Sequence, residues 1–221
     1  MVKKLSFIDG IKAQFETKAL VLIPIAVGIN LVGGTLCSTL KLPLFLDMIG
    51  TIVIACLSGP WVAALTGLLT NVFLAMVANP VNLPYAVVSV LCGLVVGYMV
   101  KAGLFKKWWG AVLVWLVLTL VNAVSASLIT TFVFGGATGI NGTSVLTAAF
   151  AVIMKDIFAS VFSSAIIENF IDKGIAVLVA YLIIQKIPKR FLSQYQYSTI
   201  SHSSKNNLDN LNSKHKADLD D

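Results

Sequence analysis

Charged residues are scarce in this chain, at 12% of 221, where a soluble domain of similar length carries about a quarter. With hydrophobic residues at 57% and a mean hydropathy of +0.90, there is too little polar surface to cover a water-soluble fold, and the chain is read as an integral membrane protein. Catalytic groups are scarce as well. His202 and His215 both lie in a polar C-terminal stretch, and neither a His-Glu-x-x-His pair nor a Gly-x-Ser-x-Gly elbow occurs. A membrane hydrolase would have little to work with. No glycine-rich loop ends in Lys-Ser/Thr, so ATP hydrolysis by the P-loop route is excluded. Cys37, Cys56 and Cys92 are scattered without metal-ligand spacing; they read as packing residues, with no disulfide framework and no metal site. The expectation is a protein that is not an enzyme and has no intrinsic cofactor.

What the chain does have is long apolar runs. Against the roughly 20 residues a bilayer-crossing helix needs, candidate spans fall at about 17–38, 44–58, 61–79, 83–101, 109–134 and 166–187. The second is short, bounded by Pro43 and by Gly59-Pro60. Lys and Arg set the orientation, since cytoplasmic loops retain positive charge. Lys3, Lys4, Lys12 and Lys18 precede the first span; Lys101, Lys106 and Lys107 separate the fourth from the fifth; Lys186, Lys189 and Arg190 follow the sixth. The expected fold class is therefore an all-α bundle of six transmembrane helices in the plasma membrane, with both termini cytoplasmic. The N-terminal apolar stretch is too long for a signal h-region and is expected to stay as the first helix. A net charge of +6 fits this sidedness and anionic lipid, not nucleic acid. Residues 1–190 form the membrane domain, and 191–221, rich in Ser, Asn, Lys and Asp, read as a disordered cytoplasmic tail.

The stretch from Asn141 to Ser164 is apolar but interrupted by Lys155 and Asp156. A seventh span there would put the C-terminal basic cluster outside, against the charge rule. An outward-facing interfacial or re-entrant helix, capable of covering a pocket, is expected instead. Gly135, Gly136 and Gly139 before it supply flexibility.

Polar side chains collect toward one end of the spans. Asn30, Asp47, Asn71 and Tyr85 lie outward, Asn122 stands with several hydroxyls in the middle and outer part of the fifth span, and Glu168, Asn169 and Asp172 open the sixth. Asn and Ser often do no more than bond neighbouring helices. Intramembrane carboxylates are costly, however, and point to function, and the shared outward bias suggests a pocket. Small residues recur every four positions, at Gly59, Ala63, Gly67 and Asn71, at Ser89, Gly93 and Gly97, and, if the region is one helix, at Ser160, Ser164, Glu168, Asp172 and Ala176. These stripes read as helix packing, with docking to a membrane partner as the alternative. Trp108 and Trp109 beside Lys106 and Lys107 read as an interfacial anchor.

The order of Leu42-Pro43-Leu44-Phe45-Leu46-Asp47-Met48-Ile49-Gly50-Thr51, Gly59-Pro60-Trp61 with Gly67 and Asn71 beyond, and Glu168-Asn169-Phe170-Ile171-Asp172-Lys173 resembles the substrate-binding S components of energy-coupling factor (ECF) vitamin transporters over about residues 15–190. The resemblance implies a small helical bundle that captures a vitamin at its outer face, beneath the loop between helices one and two. It also implies a separate transmembrane coupling subunit and two cytoplasmic ATPases as partners. Family members commonly offer alanines at four-residue spacing on the first helix to the coupling subunit. Here Asn30 follows Ala26, and the implied docking residues are Ala26, Gly28 and Gly33.

For the ligand, an amide- and hydroxyl-rich pocket with Asp47 and Glu168 and little outward basic charge argues against a polyanion such as folate. Cobalamin is the leading expectation, with a hydroxymethylpyrimidine or thiamine precursor, pyridoxine and riboflavin as alternatives. The substrate-binding residues expected are Asn30, Asp47, Asn71, Asn82, Tyr85, Asn122 and Glu168. Asp47 could equally cap the second helix, and Glu168 and Asp172 could pair with Lys155 or Lys173 as a structural cluster. Two other classes stay open. An ion-coupled secondary transporter would use Asp47, Glu168 or Asp172, and a non-transporting assembly or sensor protein would need no pocket.

Overall fold

The structure, a computed structural model, describes residues 11–12, 14–139, 142–192 and 194–195. Most of the stretch read as a tail lies outside the described residues, as do Lys3, Lys4 and Asn141. The helices are α1 (Thr17–Thr39), α2 (Ile49–Ser58), α3 (Pro60–Val77), α4 (Ala86–Lys101), α5 (Trp108–Phe132), α6 (Thr143–Met154), α7 (Ile157–Lys186) and the short α8 (Lys189–Leu192), with 3-10 turns at Pro80–Asn82 and Leu104–Lys106. No strand occurs among the described residues.

By length and composition α1, α3 and α5 can each cross a membrane. Their outward faces are apolar: Val21, Ile25, Val32 and Leu36 on α1, and Leu113, Leu116, Leu120 and Val124 on α5, are all exposed. Such faces suit lipid and not water. α7 has 30 residues, about 45 Å of helix, but Glu168, Asp172 and Lys173 interrupt its apolar character.

At the centre stands α2, buried at Gly50, Thr51, Ile52 and every residue from Ile54 to Ser58. Helices α1, α3, α4 and α7 pack around it. The approach is close because side chains are missing at the crossings. A Cβ on Gly50 would strike the Ala26 backbone, one on Gly67 the Ser89 carbonyl, one on Gly93 the backbone of Ala63 and Ala64, and one on Gly97 Pro60. The small-residue stripes on α3 and α4 therefore pack the bundle. The one-residue link between α2 and α3 is Gly59 at φ 94°, ψ −178°, a backbone region open in practice to glycine alone. Pro60 then starts α3 at a position where its missing N–H costs nothing. Cys37, Cys56 and Cys92 are free and buried, as packing residues are.

Two expectations are corrected. The second span does not run as helix from residue 44: helix begins at Ile49, and α2 alone covers about 15 Å, half a hydrocarbon core. The preceding segment is held open from outside itself. Asp172 Oδ1 accepts the Phe45 and Leu46 N–H groups at 2.8 and 2.7 Å, and Leu46 sits at φ 48°, so helix cannot propagate back through it. The second correction concerns 141–164, which is not one interfacial helix. Lys155 at φ 54° ends α6, and Asp156 caps α7 by accepting the Ala159 N–H at 3.1 Å. Residues 157–164 thus belong to α7, and Ser160, Ser164, Glu168, Asp172 and Ala176 form one continuous buried stripe.

Candidate functional site

The ends of α1, α3 and α5, the starts of α2 and α4, and the first half of α7 meet at one end of the bundle. Lys101, Lys106 and Lys107 lie at the other end, around the α4–α5 turn. Between the converging ends is a cavity with about 790 Å³ of empty space, its mouth included. Asp47, Asn71, Asn82, Tyr85, Asn122 and Glu168 all line it. Residues far apart in sequence, each singled out for polarity inside an apolar run, therefore share one space. Gly136, Ala137 and Thr138, with Thr143, Ser144 and Thr147 of α6, form another part of the lining, the position expected of a covering segment.

Each amide is held in place by hydrogen bonds within the protein. Asn71 Nδ2 donates to the Gly67 carbonyl at 3.2 Å and to Ser89 Oγ at 2.6 Å, tying α3 to α4. Asn122 Nδ2 donates to Asn169 Oδ1, and Asn169 Nδ2 donates to the Ala165 carbonyl at 2.8 Å. Asn82 is held in its turn by donating to the Asn79 carbonyl at 2.9 Å. Tyr85 shares a 2.6 Å hydrogen bond with Thr130 and stacks on Phe134 at 5.9 Å between ring centroids. Such polar contacts fix orientation before any ligand arrives.

Asn30 lies elsewhere. It is fully buried, donates to Thr51 Oγ1 at 2.9 Å and Thr70 Oγ1 at 3.0 Å, and accepts the Gly50 N–H at 2.7 Å. Both amide hydrogens and the oxygen are engaged, which makes Asn30 a knot joining α1, α2 and α3 and not part of the cavity. Asp47 does not cap α2, whose N-cap is Met48 with no side-chain bond. Of the docking residues, Ala26 is buried against Gly50, and a Cβ on Gly33 would strike the Leu46 carbonyl. Both face inward because the central helix and the segment before it need close approach there. Gly28 has open space around it, between exposed Ile25 and Val32.

The charged groups form a buried triad. Lys173, 1% exposed, places Nζ 2.6 Å from Asp172 Oδ2 and 3.7 Å from Asp47 Oδ1, and 5.9 Å from the centre of the Phe45 ring. Asp172 pairs with Lys173 as the structural alternative held; Glu168 and Lys155 stay out of the pair. A buried lysine must be compensated, and Asp172 does so while anchoring the 42–48 segment with its other oxygen. Lys173, Asn169, Phe45 and Thr130 line the cavity without having been singled out as ligand contacts. A lysine deep in an apolar span was the available signal for the first. Among the described residues no cluster of His, Cys, Asp or Glu could hold a metal ion.

The profile of the family described as ECF transporter, substrate-specific component, matches residues 18–184. No curated protein and no solved structure matches the chain.

Proposed function

The chain belongs to the substrate-specific components of ECF transporters, and on that premise we propose that it captures a vitamin or vitamin precursor in the cavity. It then hands the ligand to a separate transmembrane coupling subunit powered by two cytoplasmic ATPases. The observation that carries this reading is the convergence of Asp47, Asn71, Asn82, Tyr85, Asn122 and Glu168 on one space at the end of the bundle away from Lys101, Lys106 and Lys107. By the positive-inside rule that end faces outward. The accompanying topology is six crossings of the plasma membrane with both termini cytoplasmic, the residues before α2 completing a second crossing too short for α2 alone. The outward face of α1 around Gly28, rather than Ala26 or Gly33, is the surface offered to the coupling subunit.

The candidates are cobalamin and the smaller hydroxymethylpyrimidine or thiamine precursor, pyridoxine and riboflavin. Native mass spectrometry and calorimetric titration of the detergent-purified chain against cobalamin and the smaller vitamins tests the reading. A retained or tightly bound vitamin is expected, and a folded protein that binds none of them would sink the capture reading. Uptake that continues after both ATPases are inactivated would favour an ion-coupled carrier.

A further inference from the structure

The cavity contains more acidic than basic groups. Lys173 is the one Lys or Arg among its lining residues, and it is already engaged by Asp172 and Asp47. Asp172 is saturated too, one oxygen taking Lys173 and the other the Phe45 and Leu46 N–H groups. Two acceptors are left over. Asp47 Oδ1 touches Lys173 at 3.7 Å, too long for a hydrogen bond, and accepts none. Glu168 is 5% exposed, and its Oε1 has no hydrogen-bond partner. Both side chains line the cavity.

A buried carboxyl oxygen without a donor is costly, more so than the hydroxyls of Ser58, Ser127 and Thr131 that also lack partners, and the nearby carboxylate of Asp172 is satisfied on both oxygens. The donor missing from Glu168 is therefore to be sought in the cavity. Resting on the capture reading above, we infer that the ligand is a small nitrogen heteroaromatic carrying an amino group or a cationic nitrogen that donates to Glu168. Its ring lies among Phe45, Tyr85 and the amides of Asn71 and Asn122. Phe45 and Tyr85 supply aromatic surface for a flat ring; with both Asn71 N–H groups and one of Asn122's already engaged within the protein, the amide oxygens serve as acceptors and the second Asn122 N–H as a donor for ring heteroatoms. A carboxylate or phosphate ligand would meet Asp47 and Glu168 with no free cation to receive it.

The test is calorimetric titration of the full purified chain in detergent. The probes are thiamine and its aminopyrimidine precursor, each beside the oxo analogue in which a carbonyl replaces the exocyclic amine, together with biotin, pantothenate, riboflavin and cobalamin. An amine-bearing probe is expected to bind, with its oxo analogue weaker by about 100-fold or more, because a site built around a donor leaves its own acceptor unpaired when the donor is absent. Glu168→Gln is expected to remove most of that discrimination, whereas Asn82→Ala weakens both members of a pair alike. The paired analogues on the unmodified chain keep the test decisive even if Glu168→Gln folds poorly. Tight binding of biotin, pantothenate, riboflavin or cobalamin, unchanged by Glu168→Gln, would overturn the inference and leave the capture reading standing. A folded chain that binds no vitamin would remove both.

Discussion

Two clusters of polar residues sit within the same apolar bundle, and they are built to opposite ends. Around Asn30, two threonine hydroxyls and one backbone N–H use every hydrogen-bonding position of the amide, in a space with no room left over. Around Glu168, amides and hydroxyls of α3, α4, α5 and α7 surround a void, and carboxyl oxygens of Glu168 and Asp47 find no donor. Residue type does not separate the two, since both are polar groups on otherwise apolar helices. What separates them is whether the partner is protein. A completed network holds helices together, and an incomplete one beside a cavity is prepared for something else. The triad of Lys173, Asp172 and Asp47 joins the two kinds, with a structural half in Asp172 and an unfinished half in Asp47.

The comparison can be broken most severely at Lys173. Lys173→Met leaves Asp172 and Asp47 buried without a counter-charge, and about 3–5 kcal/mol of stability should be lost, read as a large fall in the thermal midpoint in detergent. A midpoint left unchanged would show that the triad does not hold the 42–48 segment. Next comes Asn30→Leu. It strands the Gly50 N–H and unties two hydroxyls, and at the modest worth of hydrogen bonds inside membranes should cost about 2 kcal/mol. The folded fraction should bind ligand as before, and a selective loss of affinity would instead place Asn30 in the site.

Asn122→Ala is expected to act in the other sense, reducing ligand affinity about 10-fold for one lost hydrogen bond, with a smaller effect on unfolding than Asn30→Leu; titration beside a melting curve separates the two. The smallest effect belongs to Glu168→Gln. Because Glu168 Oε1 has no partner in the protein, stability in the absence of ligand should stay within about 1 kcal/mol or rise slightly. A fall as large as that of Asn30→Leu would mean that Glu168 is structural and the comparison mistaken.

Much of this was legible in the residues. The helical stretches, the small-residue crossings of α3 and α4, and the gathering of polar groups at one end all follow from patterns within single segments. The limits are equally specific. Asn30 is indistinguishable from Asn71 in the sequence, because each is an amide in the latter half of an apolar helix. The start of α2 is hidden in the sequence because Leu44, Phe45 and Leu46 continue its apolar run, and the carboxylate that holds Phe45 and Leu46 out of helix comes from Asp172, more than a hundred positions away. In the 141–164 segment Lys155 and Asp156 look like an interruption within a helix, whereas a left-handed residue followed by a capping aspartate makes them a boundary.

The sequence by itself determined that this is an apolar helical bundle of a membrane, that catalytic motifs are missing from it, and which costly side chains lie inside it. All of these depend on composition, run length and helical period, which are local properties. Only the tertiary structure decided which polar groups are completed by neighbours and which face open space, because a hydrogen-bond partner or a void is created by segments that meet across the fold and leaves no trace in the period of either one.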